Sequence, residues 1–298
     1  RVTVLDKGRH PGGRLATRDI DGGRRVNHGA PWFTMADRRL APYRESWIDI
    51  EVLARRSGKH SDTFTAAPDN RAFAAHLADD LDVRSGRTVV GLSPETHGWT
   101  VMTETGAEGP FDRIVVAVPS PQAVSLLKPS APDLAARAET ATYDPCWTAI
   151  LALDEPLGDS MPDVVETAGP VRLGVRTMHT PSARGGAETW VLHADPAWTT
   201  ATLEWDRTHA AAALRDSFTD ATGLRLPGHT CRGHRWRYAT VRTPLGVEAL
   251  YDRARGVGAC GDWCPGGGVS GALISGVAMA GRVFASDPLL AARAGPLK

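Results

Sequence analysis

The chain has 298 residues, with 34 Lys plus Arg against 34 Asp plus Glu, so its formal net charge is zero and no global field favours nucleic acid or an anionic membrane surface. Its 42% hydrophobic content excludes a disordered chain, and four cysteines over this length exclude a disulfide-stapled scaffold. What remains is small-molecule chemistry on one or two globular domains, and nothing in the pattern fixes an oligomeric state.

The opening run RVTVLDKG sets Val2, Val4 and Leu5 ahead of Asp6 and a glycine, as expected of a buried parallel strand running into a loop. The glycine pair Gly12 and Gly13 follows directly, then Arg14. NHGAPWFTM (27–35) has no clean period. In PDNRAFAAHLADDL (68–81), Phe73, Leu77 and Leu81 recur at helical intervals, with Asp69 or Asn70 able to cap the start. RTVVGLSPETHGWTVMTETG predicts two strands joined at Thr96-His97-Gly98. FDRIVVAVP (111–119) reads as one continuous apolar strand closed by proline, and PSPQAVSLLKP as a short helix.

From about residue 143 the character changes. CWTAILALD and ETWVLHAD are strand-like, DRTHAAAALRDSFTDATG is a helix ended by Gly223, and HRWRYATV (234–241) alternates. VGACGD (257–262) is again an apolar strand, PGGGVSG a turn, and ALISGVAMAGRVFA (272–285) a helix whose small residues allow close approach to a sheet. The fold class expected is α/β, α+β overall, with a second mixed-sheet domain inserted into the first. The expected division is 1–40, 81–142 and 254–298 for a cofactor domain, 41–80 for a helical part on the substrate side, and 143–253 for the substrate domain. No stretch reads as 18 to 20 continuous apolar residues and no signal sequence is visible, so the expectation is a cytoplasmic chain without membrane contact. Cys146, Cys231, Cys260 and Cys264 are expected to be free thiols.

Three stretches carry chemistry. Asp6 ends an apolar strand, where a dinucleotide fold places a carboxylate under a ribose hydroxyl pair; an ordinary turn aspartate is the alternative. Gly12 and Gly13 let backbone approach a polyanion, and Arg14 offers a fork of donors, unless the segment is only a basic loop. In CGDWCPGGGVSGALISG a strand, a Gly-Asp, a glycine loop and a helix point Asp262 and the helix N–H groups at a polar, partly negative ligand. A plain βα turn explains the glycines there but not the aspartate. On HRWRYA, His234 and Trp236 share one face and Arg235 and Arg237 the other. The first pair either lines a cavity or packs in a core. His28, His179 and His193 read as turn or strand residues rather than ligands, no spacing suggests a metal, and no GxSxG suggests a serine hydrolase.

Taken together and in order, VTVLDKGRHPGGRLATR, NHGAPWFT, FDRIVVAVPSPQAVSLL, HRWRYA and GACGDWCPGGGVSGALISGVAMAGRVF resemble the renalase-like branch of the FAD-dependent amine oxidase superfamily. The resemblance implies noncovalent FAD on a Rossmann-like domain and a small-molecule substrate on a mixed-sheet domain. It implies that Asp6 holds the adenosine ribose, that the backbone near Val89 meets adenine, and that Gly12, Gly13 and Arg14 line the pyrophosphate and ribityl path. Asp262 with Val269, Ser270, Gly271 and Ala272 would hold the ribityl and pyrimidine end, and Gly29 and Ala30 would lie against the isoalloxazine. Pro31 and Trp32 join His234 and Trp236 as substrate-cavity candidates.

Two departures stand out. Relatives open with a strand and a GxGxxG turn that this sequence lacks, so the expectation is a shortened form of a longer protein, missing the first βα unit and binding FAD poorly. Asn27, Pro31 and Trp32 stand where relatives commonly have Asp, Gln and Tyr. The implied reaction is hydride transfer from a nicotinamide-like or amine substrate to flavin N5, with O2 as acceptor and no obligatory general base. A degenerate flavoprotein with a binding role, or an NAD(P)H-using monooxygenase or reductase, are the alternatives.

Overall fold

The computed structural model describes residues 1–20, 24–56, 62–157, 161–177, 188–226 and 228–286. The chain opens with β1 (Thr3–Asp6), and a single 3-10 turn over Gly13–Leu15 leads into the antiparallel hairpin of β2 (Thr17–Ile20) and β3 (Arg24–Asn27). Next, β4 (Phe33–Thr34), α1 (Ala41–Asp49), β5 (Leu53–Arg55) and β6 (Thr63–Ala66) build a small antiparallel sheet in the order β4-β6-β5. It is closed by α2 (Asn70–Leu77), with Phe33, Met35, Phe64 and Phe73 buried between them. The helix expected over 68–81 therefore stops at Leu77, and Leu77 and Leu81 are exposed because the chain turns away to reach β7 (Asp82–Ser85). Neither expected cap forms: Asp69 faces Thr17 and Arg25, and Asn70 binds the backbone of Ala66 and Ala30.

β7 lies parallel to β1, residue for residue from Thr3 opposite Asp82 to Asp6 opposite Ser85. β8 (Val89–Glu95), β9 (Gly98–Thr103) and β10 (Gly106–Phe111) form an antiparallel meander, turning at Thr96 and His97. The single strand expected over 111–119 is split: Phe111 ends β10 opposite Trp99, and β11 (Ile114–Val116) starts in another sheet. The polar pair Asp112-Arg113 carries the chain between the two sheets, which the apolar run on either side conceals. Two short helices, α3 (Ser120–Leu127) and α4 (Pro132–Ala138), bury Ala123, Leu127, Leu134 and Ala138 against β11.

A long strand, β12 (Thr142–Leu153), then anchors a five-stranded sheet with β13 (Val164–Glu166), β14 (Val171–Arg176), β15 (Thr189–Ala194) and, after α5 (Pro196–Ala201) and α6 (Arg207–Thr222), β16 (His229–Thr243). The order is β13-β14-β15-β12-β16, antiparallel throughout. Side chains alternate across it. One face sets Trp147, Leu151, Trp190 and Leu192 against Ala210, Leu214 and Phe218 of α6. Each fully buried Leu or Phe there stabilises by about 1.5–3 kcal/mol relative to exposure. The other face sets Ile150, Ala152 and Val191 against Ile20 and Val26 of the β2–β3 hairpin.

The chain returns through β17 (Leu250–Asp252) and β18 (Val257–Ala259) to α7 (Gly268–Ala285). β18 pairs in parallel with β11, so β1–β7 and β11–β18 are the two parallel pairs of the Rossmann-like part. α7 starts four residues before the expected Ala272, because the glycine turn itself joins the helix. With 18 residues and a mean hydropathy of 1.4, it is the one described helix long and apolar enough to cross a membrane by length and composition, although Ser270, Ser275 and Arg282 interrupt its apolar run. Ile274, Ser275 and Met279 are its buried face, and Val277 and Phe284 are exposed. All four cysteines are free thiols, and burial pushes Cys260 up to about 12.

Candidate functional site

The centre of the site is Arg14. Its guanidinium forms a two-pronged pair with the Asp262 carboxylate at 2.8 and 2.6 Å, a third bond to the Ala239 carbonyl at 3.1 Å, and lies 5.9 Å from the Tyr143 ring. Asp262 is 3% exposed, so the fork geometry compensates a carboxylate that burial alone would make costly. The glycine-rich loop after β1, the long strands β12 and β16 and the turn before α7, far apart in sequence, are thereby tied together. Tyr143 hydroxyl accepts from Ser120 N–H at 3.2 Å, and desolvation pushes its pKa up to about 12.

Around that pair backbone approaches are closer than any side chain permits. A Cβ at Gly29 would stand 2.0 Å from the Arg14 carbonyl oxygen, which instead accepts from Ala30 N–H at 2.8 Å. A Cβ at Gly271 would stand 1.8 Å from the Gly266 carbonyl oxygen. By contrast, a Cβ at Gly266, Gly267 or Gly268 would meet nothing within 4 Å, and the N-cap position of α7 is a glycine without a capping side chain. Gly268 N–H donates to Asp262 Oδ2 at 3.4 Å, and the next N–H groups of the first turn stand beside that buried carboxylate, a donor set that fits the polar pyrimidine edge of a flavin.

At the other end, Asp6 Oδ1 accepts from Gly8 N–H at 2.7 Å, and its carbonyl accepts from Arg87 N–H at 2.9 Å. Val89 opens β8 two residues further on, so the fold brings Asp6 and Val89 together. From Asp6 the chain passes Gly12, where an added Cβ would stand 3.2 Å from the Ala74 Cβ, and reaches Arg14 eight positions after Asp6. Ser270 lies on the first turn of α7 and Ala272 begins the second, while Val269 packs with Leu15 against the Phe33–Phe73 cluster.

Segment 27–31 is fixed by a buried polar network: Thr17 Oγ1 is 2.8 Å from Asn27 Oδ1 and 3.1 Å from Asp69 Oδ1, Asn70 N–H donates to Asn27 Oδ1 at 3.0 Å, and Asn70 Nδ2 donates to the Ala30 carbonyl at 2.8 Å. Next to it, the His28, His234 and Trp236 rings meet at centroid distances of 4.9, 5.4 and 4.3 Å, and Trp236 Nε1 donates to the His28 carbonyl at 3.3 Å. His234 and Trp236 therefore stand on the sheet face that meets the β2–β3 hairpin. Arg235 and Arg237 reach Glu204 on the opposite side. Pro31 sits beside Asn70, and Arg56 lies over the Trp32 ring at 3.9 Å.

Three residues read from sequence as ordinary, or not singled out, belong here. In sheet register, Thr148 lies opposite His193 on one side and His234 on the other, so a row of polar side chains crosses β15, β12 and β16 within an apolar face. Among the described residues, Asn27 Nδ2, His28 Nδ1, Thr148 Oγ1 and His193 Nε2 are buried without a hydrogen-bond partner, a concentration uncommon in a folded interior. Desolvation is the first cause holding His28 at about 3, His193 at about 4 and His234 at about 4, so all three are neutral near pH 7. The sequence signal was a polar residue at an inward position of an apolar strand, in CWTAILALD and WVLHAD. His179 lies outside the described residues.

Comparison with known proteins bears on the family and the fold. Residues 1–44 match the NAD(P)-binding Rossmann-like domain family and residues 48–284 match the flavin containing amine oxidoreductase family. A coproporphyrinogen III oxidase of Mycobacterium leprae (strain TN) is 37% identical over 91 residues, which is 29% of this chain and 20% of that protein. A putative protoporphyrinogen oxidase from Exiguobacterium sp. 255-15 shares the fold with a TM-score of 0.60 at 15% identity, over 77% of this chain and 54% of that one. The chain thus spans about half the length of its solved relative and a fifth of the curated one.

Proposed function

The chain belongs to the flavin containing amine oxidoreductase family, whose match takes in residues 48–284, and from that premise we propose that it is a renalase-like, FAD-dependent oxidase drawing electrons from a nicotinamide-like or amine substrate. The reading is carried by the junction at which the Arg14–Asp262 pair meets the glycine-rich start of α7. FAD held there would supply two-electron oxidation of the substrate, with O2 as the terminal acceptor and hydrogen peroxide as its product.

The chain's own residues then bind and orient. Asp6 accepts from the adenosine ribose, the Val89 backbone borders adenine, and Gly12 and Gly13 admit the pyrophosphate close to the main chain. The unpaired N–H groups of Val269 and Ser270, with the α7 dipole and the close backbone at Gly271 and Ala272 behind them, stabilise negative charge at the pyrimidine edge. Gly29 and Ala30 border the ring system, and His28, His234 and Trp236 wall the substrate space against water. The division into cofactor segments 1–40, 81–142 and 254–298 around a substrate segment 143–253 is part of the same proposal.

The test is the visible flavin spectrum of the purified chain, followed anaerobically on addition of reduced nicotinamide isomers and small amines, with peroxide measured on re-oxygenation. Stoichiometric flavin bleached by either class supports the proposal. A colourless chain that takes up no added FAD overturns it. The Mycobacterium leprae relative favours a second substrate class, a porphyrinogen. Porphyrin fluorescence appearing from a porphyrinogen, with no bleaching by nicotinamides or amines, selects that reading. Hydroxylated product formed at the expense of NAD(P)H selects a monooxygenase.

A further inference from the structure

Arg18, half-buried on β2, lies with one guanidinium nitrogen 3.4 Å from His234 Nδ1 on the outer strand β16, and among the described residues no carboxylate pairs with it. Arg207 and the exposed Arg9 are near enough to repel it electrostatically. Arg232 is in register with Ile150 and so projects from the same sheet face as His234. Behind His234 the row runs inward to Thr148 and His193, whose Oγ1 and Nε2 lack partners, and His28 lies across the ring contact.

Like charge from Arg207 and Arg9 beside a half-buried guanidinium opposes folding unless a counter-ion relieves it. The donor set also matches one ligand type. Arg18 retains most of its five N–H donors, and with Nδ1 of neutral His234 facing that guanidinium, Nε2 is the nitrogen that carries its proton. Planar paired donors of this kind recognise carboxylate and phosphate oxygens.

We propose that Arg18 and His234 form an oxyanion subsite at the entrance of the substrate space, so that the substrate carries a carboxylate or phosphate group there and its body lies along Thr148 and His193. This rests on the oxidase reading only in placing the substrate on this sheet face. The rim arginines steer the anion in, and Arg18 and His234 fix its position.

Calorimetric titration of the full chain, loaded with FAD, tests the subsite with benzoate, inorganic phosphate and neutral benzamide as probes. One or both anions bind the wild type, the tighter of the two naming carboxylate or phosphate as the group taken. Arg18→Ala weakens that binding about tenfold or more, Arg18→Lys less, and benzamide is unaffected by either. In the wild type, anion affinity falls with added salt while benzamide affinity stays flat, a readout that survives if the Ala variant does not fold. Absence of binding by both anions, equal affinity in Arg18→Ala, or salt-independent anion binding overturns the subsite. A chain that carries no flavin but still binds the anions through Arg18 refutes the oxidase reading and leaves the subsite standing.

Discussion

Arg14 and Asp262 show how much a single pair decides. Removing Arg14 leaves a carboxylate that is 3% exposed without its counter-charge, whereas Asp262→Asn removes the charge itself. Arg14→Ala is therefore expected to destabilise by about 3 kcal/mol and Asp262→Asn by less, read from denaturant midpoints at unchanged slope. Both are expected to lose flavin from the purified protein. The three depressed histidines set a pH dependence. Their folded-state pKa values of about 3 to 4 lie below the unfolded value near 6.5, so below about pH 6.5 the unfolded chain takes up protons that the folded chain does not. Their contribution is present in full above that pH and is lost as pH falls towards about 4. Unfolding free energies measured between pH 7 and 4 should fall, and His193→Gln should flatten the slope; an unchanged slope in that variant counts against a neutral, buried His193.

At the scale of elements, local rules and tertiary demands separate cleanly. Helix α6 begins at Asp206, whose carboxylate accepts from Thr208 and His209 N–H, and ends at Gly223 with φ of 69°. Asp206→Ala should cost about 1 kcal/mol by thermal melt, with bound flavin unchanged, since α6 covers the sheet face opposite the histidine row. The turn before α7 behaves differently. Gly271→Ala puts a Cβ against the Gly266 carbonyl, so the turn must open, and both flavin content and melting temperature should drop. Retention of flavin at wild-type stoichiometry in that variant would sink the assignment of this turn to the cofactor. α6 was legible because its cap and stop are written in neighbouring residues. α2 was legible as a helix but its cap was not: the Asp69 carboxylate had a stronger claim on it from Thr17 and Arg25, which no local window contains.

At the scale of the molecule, ligand binding and folding are one equilibrium. Free FAD at about a hundredfold its dissociation constant should stabilise by about 2.7 kcal/mol, so the melting temperature of the flavin-free chain should climb with added FAD and not with riboflavin at the same concentration if the Asp6 end contributes. Several parts of the architecture followed from sequence alone: Asp6 at a strand end, the glycine turns, the helix stopped by Gly223 and the alternation that puts His234 with Trp236. Each depends on side-chain periodicity or on backbone angles only glycine adopts, and those are properties of a few adjacent residues. Tertiary structure alone decided that Arg14 clasps Asp262 across 248 positions, that 106–116 divides between two sheets, and that Thr148, His193 and His28 converge beside Arg18. The reason is physical: which buried polar atoms find partners, and which charges face one another, depends on strand register and packing between segments that share no sequence neighbourhood.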